Sequence, residues 1–173
     1  MMTFCPIDKI DSKEIEDLLD QAFGEDRHER TAYKLRDGAL MIDNLSFALT
    51  DDDILLGILQ CWTVQLLDEN GASHPLILVG PVGVAAKYQN MGHGRAMLNE
   101  MINRADNMDY PPMMLIGDAP YYAPFGFTAA QTGAWALPGP FERARLLCRN
   151  VAHVKLPQNG HIAPMAKIAA SPR

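Results

Sequence analysis

The feature that most constrains this chain is the apolar run Leu76-Ile77-Leu78-Val79-Gly80-Pro81-Val82-Gly83-Val84. After a short link come Gln89-Asn90-Met91-Gly92-His93-Gly94-Arg95 and a segment in which Leu98, Met101, Ile102 and Ala105 recur at helical spacing. A run apolar at every position suits a central strand covered on both faces. The periodic segment suits a helix over residues 92–108. Pro81 has no N–H for a ladder and Gly83 no side chain, so the strand is expected to bulge or splay. A strand that feeds a glycine turn opening a helix leaves the first helical N–H groups without partners. Small residues at 92 and 94 let an anion approach the backbone, and oriented amides at the positive end of the helix dipole bind phosphate. Lys87 and Arg95 add charge. The pattern is neither a dinucleotide fingerprint, which needs a third glycine where Met97 stands, nor a Walker A loop. Two glycines alone also fit a tight turn with no ligand.

Upstream, residues 3–7 read as a first strand, and Asp11 or Ser12 offers the cap of a helix reaching about Phe23. Ile15, Leu18, Leu19 and Ala22 give that helix one apolar stripe. Gly24 ends it, and residues 25–29 lead into a second helical segment ending near Arg36. Alternating Leu45, Phe47 and Leu49, an acidic turn at 51–53 and a longer strand over 54–66 suggest a hairpin. Asn70-Gly71 supplies the next turn. Downstream, Pro111-Pro112 stops the long helix, 113–116 is a short buried strand, 120–124 a short helix or turn, and Phe127 starts an extended piece. Residues 135–140 are rich in turn formers. Arg143, Arg145 and Arg149 are expected on one basic strand face, and residues 159–173 as a partly ordered tail.

Length and composition set outer bounds. A chain of 173 residues suits one domain. A hydrophobic fraction of 48% with 21% charged residues predicts a packed core. The net charge of −6 argues against nucleic acid as a partner. No run of about 18 apolar residues is present and residues 1–10 do not resemble a leader, so a cytoplasmic protein with no membrane contact is expected. Cys5, Cys61 and Cys148 are too scattered for a disulfide framework or a Cys-x-x-Cys metal site. No histidine–carboxylate cluster suggests a metal.

Gln89-x-x-Gly92-x-Gly94 after an apolar strand resembles the acyl-CoA pyrophosphate loop of the GNAT superfamily. A second segment, Gly117-Asp118-Ala119-Pro120-Tyr121-Tyr122-Ala123-Pro124-Phe125-Gly126-Phe127, is similar to the Tyr-x-x-x-Gly-Phe stretch that closes the coenzyme site there, and its Gly-Asp and paired tyrosines resemble a bacterial branch of predicted acetyltransferases. The resemblance covers about residues 3–128. It implies an α/β (α+β) fold of the GNAT acyl-CoA N-acyltransferase kind, with a central mixed, mostly antiparallel sheet flanked by helices. Two strands, ending near Val84 and Ile116, would part into a V that holds pantetheine. Residues 1–156 would form the N-acetyltransferase domain and 157–173 a tail.

By the same resemblance the cofactor is acetyl-CoA (coenzyme A), bound by Val82, Gly83, Val84, Gln89, Asn90, Met91, Gly92, His93, Gly94, Arg95, Tyr121 and Phe125. The implied reaction is direct attack of a primary amine on the thioester, through a tetrahedral intermediate. A main-chain N–H near Val84 would stabilise the oxyanion. Tyr122, four residues before Gly126, would protonate the leaving sulfur, since tyrosine is protonated at neutral pH; Tyr121 is the competing candidate. No base is singled out among Glu25, Asp26, His28, Glu29 and Asp118. The family's asparagine ahead of the tyrosine has no counterpart here. The acceptor is expected to be a small-molecule or peptide amine, and a homodimer is compatible with the resemblance. A binding module that keeps the loop without the chemistry is the alternative.

Overall fold

The alternation of Leu76 and Leu78 with Ile77 and Val79 places these side chains on opposite faces of one strand, and all four are buried. In the computed structural model, which describes residues 1–166, that strand is β4 (Ser73–Val84). It lies near the centre of a sheet ordered β1 (Met2–Pro6), β2 (Phe47–Asp51), β3 (Ile54–Leu67), β4, β5 (Met113–Ile116) and β7 (Leu146–Arg149), with β6 (Ala134–Ala136) and β8 (Asn159–Pro164) branching from β3. Neighbours are antiparallel except β4 with β5 and β6 with β8. The expected mixed, mostly antiparallel sheet is present.

Helices cover both faces, as the two-sided burial of β4 requires. On one face lies α3 (His93–Asp106), whose Met97, Leu98 and Met101 pack with Leu59, Cys61, Ile77 and Val79. Each such fully buried side chain contributes roughly 1.5–3 kcal/mol of transfer free energy. On the other face α1 (Ser12–Phe23) sets Ile15, Leu18 and Leu19 against Ala48 and Ile58, while Leu35 of α2 (Thr31–Arg36) joins Val64, Leu66, Leu76 and Trp135. Asp11 caps α1 by accepting from the Lys13 N–H at 2.8 Å. Gly24, at φ 93°, ends it.

The sheet opens where the sequence predicts. β4 and β5 pair only at Ile77–Met113 and Leu78–Met114, after which β5 follows β7 and leaves β4 bordered by β3 alone. At the same place Gly80 and Pro81 stand together opposite Gln60, a bulge between the Leu59–Val82 and Cys61–Val79 pairs. Gly83 permits close helix packing: a Cβ there would lie 3.1–3.2 Å from side chains of Leu18, Leu19 and Phe23.

Several expectations are corrected. Residues 159–164, expected as tail, form β8, which pairs with the far half of β3 and with β6, so the folded unit extends past residue 156; residues 167–173 lie outside the described residues. Arg143 and Arg145 belong to a one-turn helix (Arg143–Arg145) that precedes β7, not to a basic strand face. Arg143 instead donates to the carbonyls of Thr132 and Trp135, and Arg149 to that of Phe125. Trp135, placed among turn formers by its neighbours, is fully buried in β6. Among the described residues no helix is long and apolar enough to cross a membrane.

Candidate active site

The parting of β4 from β5 creates two adjoining hollows that share Phe23 and Val82. The first, a cleft of about 520 Å³, is lined by Ala22, Phe23, Val82, Gly83, Val84, Gln89, Asn90, Gly92, His93, Gly94, Arg95 and Tyr121. The second, a groove of about 790 Å³ on the other side of Val82, is bounded by α2, β4, β5, Tyr122 and the segment around Phe141.

Two sets of backbone amides face the cleft. The first bond of α3 runs from the Ala96 N–H to the Gly92 carbonyl at 3.0 Å, so the N–H groups of His93, Gly94 and Arg95 precede the ladder and have no acceptor among the described residues. Asn90 (φ 64°) and Gly92 (φ 86°) are left-handed, and this turning of successive amides makes an anion-binding concavity at the positive end of the helix. The second set belongs to β4. Ala85 donates to the Leu56 carbonyl of β3, so strand alternation points the N–H groups of Val84 and Val82 the other way, toward the edge β5 has left. Gln89 Nε2 donates to the Val84 carbonyl at 3.2 Å and ties the loop to the strand end.

The paired tyrosines close the site from above. They lie on α4 (Ala119–Tyr122), which continues into a one-turn helix (Ala123–Phe125) and then Gly126 at φ 88°, a left-handed position glycine takes without strain. The two rings meet edge to face, 4.9 Å between centroids. Tyr121 lies over the start of α3: a Cβ at Gly94 would be 2.8 Å from its hydroxyl. Tyr122 lies over Gly117, where a Cβ would be 2.5 Å from its ring. Burial pushes the Tyr122 hydroxyl up to about 12, with Tyr121 and Asp118 adding to the rise and Arg145 opposing it. This phenol therefore stays protonated across the physiological range.

Of the residues singled out in the sequence, Val82, Gly83, Val84, Gln89, Asn90, Gly92, His93, Gly94, Arg95 and Tyr121 line this one cleft. Tyr122 lines the adjoining groove. Met91 and Phe125 are not among the residues lining the cleft: Met91 is 64% exposed, and Phe125 packs on the α3 side of the core with its ring 6.3 Å from that of Tyr121. Of the acidic residues without an assigned role, Asp26 and Glu29 line the groove.

Sequence reasoning missed Phe23, which stands between the two hollows, and the polar cluster behind it. Arg27, 1% exposed, is held by Glu16, by Asp20 at 2.8 Å and by the Tyr33 hydroxyl. Its neighbours raise its already high pKa, against burial as the largest opposing influence. Arg36 is stacked between Tyr33 and Trp62. Apart from the short spacing of Tyr33 and Arg36, no local signal marks this cluster, because its members come from α1, the short helix Glu25–Glu29 that carries Arg27, α2 and β3.

The comparisons with known proteins agree with this geometry. Residues 4–130 match the model of the family described as "Acetyltransferase (GNAT) domain". The chain is 26% identical over 122 residues, 70% of each chain, to the uncharacterized N-acetyltransferase YhbS of Escherichia coli K12. Its fold resembles the crystal structure of YhbS from Escherichia coli in complex with CoA (TM-score 0.70, 22% identity, covering 100% of this chain and 95% of that one). It equally resembles that of a GNAT family acetyltransferase from Brucella melitensis in complex with acetyl-CoA (TM-score 0.70, 22% identity, 96% and 97% covered). With the family model spanning both the amide cradle and the paired tyrosines, this chain belongs to the GNAT acetyltransferase domain family.

Proposed function

We propose that this protein transfers the acetyl group of acetyl-CoA to a primary amine of a small molecule or peptide, with coenzyme in the cleft and the acceptor entering through the groove. One observation carries the reading: two rows of amides, at the start of α3 and along the free edge of β4, face one cleft beside a protonated tyrosine. The residues suit a coenzyme pyrophosphate, because a cradle of unpaired N–H groups binds a dianion without many basic side chains. Relatives of the same fold carry CoA and acetyl-CoA in their crystal structures.

Acetyl-CoA supplies an activated thioester. His93, Gly94 and Arg95 hold the pyrophosphate through their N–H groups, and Asn90 and Gly92 shape the turn that aims them. The N–H groups of Val82 and Val84 take the pantetheine arm as an added strand and stabilise the negative oxygen at the reacting carbon, a preorganised donor of the kind that lowers barriers most. The Tyr122 hydroxyl donates its proton to the departing sulfur. Phe23 keeps water from the junction of cleft and groove.

Thiol release from acetyl-CoA, followed across a panel of amines, tests this directly. Turnover with at least one amine, lowered about 100-fold or more in Tyr122→Phe while that variant still binds CoA, is the expected result. Binding of CoA with no release for any amine would instead mark a binding module.

A further inference from the structure

The groove has an electrostatic feature that the acetyl-transfer reading does not use. Arg36 lines it, with its guanidinium carbon 4.1 Å from the Tyr33 ring centroid and 4.4 Å from that of Trp62. Nη2 donates to Gln60 Oε1 at 3.1 Å. Nη1 is buried and has no acceptor among the described residues. No carboxylate of the described residues comes within ion-pair distance of Arg36, in contrast to Arg27 beside it, which takes both Glu16 and Asp20. Burial lowers the pKa of Arg36 and the charge of Arg27 adds to the fall, with Tyr33 and the more distant Glu16 opposing it only in part. Such an arrangement is costly unless something completes it.

Resting on the proposed acetyl transfer, we propose that the acceptor is a small amine bearing a carboxylate, whose carboxylate pairs with Arg36 while its amine reaches Val82. Two observations select this class. Two aromatic faces clamp the guanidinium, so a partner can approach only in its plane, and a planar carboxylate meets a guanidinium edge in that way. The lining of the groove also includes the apolar Leu78, Val79, Leu115, Ile116 and Phe141, which suits an uncharged body linking the two polar ends. Asp26, Glu29 and Glu142 on the same groove attract the ammonium form of the amine before it loses its proton. A volume of about 790 Å³ is within the range of small-molecule sites, roughly 300–1,000 Å³.

The test is a binding experiment that does not depend on turnover. N-acetyl amino acids with apolar side chains, their matching carboxamides, and short peptides ending in the same residues are titrated calorimetrically into CoA-saturated protein. The N-acetyl acids are expected to bind at least about tenfold more tightly than the amides, with that preference lost in Arg36→Met and partly kept in Arg36→Lys. CoA affinity should be the same in all three proteins, which also verifies that the variants are folded. Tight binding of the free acids alone identifies a single amino-carboxylate; equal binding of the peptides identifies a peptide terminus with the same chemistry. Equal affinity for acids and amides, a preference that survives Arg36→Met, or no binding of any acid would each overturn the inference. The acetyl-transfer reading is judged separately, by thiol release across the wider amine panel: turnover confined to amines without a carboxylate would keep that reading and sink this one.

Discussion

Replacing Gly94 with alanine separates the stability of the fold from the integrity of the cradle. A Cβ at this position would stand 2.8 Å from the Tyr121 hydroxyl and 3.9 Å from Val84 Cγ2, both on the cleft wall. Ordinary contact begins at 3.4 Å, so the hydroxyl has to withdraw by the difference, 3.4 − 2.8, or about 0.6 Å. Tyr121 is 36% exposed, and swinging its end outward costs the fold little. Gly94 lies in the first turn of α3, where alanine is favoured over glycine by up to about 0.5–1 kcal/mol. The unliganded melting temperature of Gly94→Ala should therefore match or exceed that of the wild type. The new methyl group, however, fills the space before the amides of His93, Gly94 and Arg95. Losing one charge-assisted hydrogen bond, worth about 1.5–3 kcal/mol, weakens CoA binding by roughly 10- to 100-fold. Calorimetric titration with CoA measures the loss, and thermal melting without ligand measures the fold. A stable Gly94→Ala protein that binds CoA as tightly as the wild type would refute the placement of the pyrophosphate.

Other substitutions probe other parts. Tyr122→Phe should lower kcat by about 100-fold or more with unchanged CoA affinity. Because burial holds that hydroxyl at about 12, the wild-type rate should show no loss of the acid near pH 10; an alkaline limb there would point to a different donor. Arg27→Met leaves Glu16 and Asp20 without their shared cation. Those carboxylates are 53% and 36% exposed, so the destabilisation should be about 2 kcal/mol, below that of a fully buried pair, as read from denaturant midpoints. Stability should also fall with alkaline pH. Burial raises the Cys148 thiol from its ordinary value of 9.0 to about 12 and the Tyr122 phenol from 10.0 to about 12, so the unfolded chain ionises first. The stability these groups contribute is whole below about pH 9 and is lost as pH rises toward 12. Cys148→Ala should flatten part of that slope in urea titrations at successive pH values.

Most of the cleft proposed for the coenzyme was legible in the sequence as a shape, because its features are local. Gly80-Pro81 and Gly83 announce a strand that cannot pair regularly, and Gly92 and Gly94 a turn whose amides stay free; each property belongs to a residue and its immediate neighbours. The groove was not legible, since Arg36, Gln60 and Trp62 meet only when α2 docks on β3. β8 escaped for a related reason. Residues 159–164 bury only Ile162 among their side chains, so they lack the apolar alternation that marks a strand, and their order comes from pairing with a β3 long enough to serve two partners. Trp135 shows tertiary context overriding turn chemistry: its neighbours favour a loop, yet its ring fills the core and its Nε1 donates to the Pro157 carbonyl at 3.0 Å.

The central claim is that free main-chain amides, and not a set of basic side chains, receive the coenzyme. Amide resonances of the ¹⁵N-labelled protein, followed during titration with CoA, report this residue by residue. The largest shifts are expected at the N–H groups of Val82, Val84, His93, Gly94 and Arg95, with those of the far half of β3 unmoved. Saturation by CoA with these five resonances unchanged and the shifts gathered elsewhere on the surface would contradict the account.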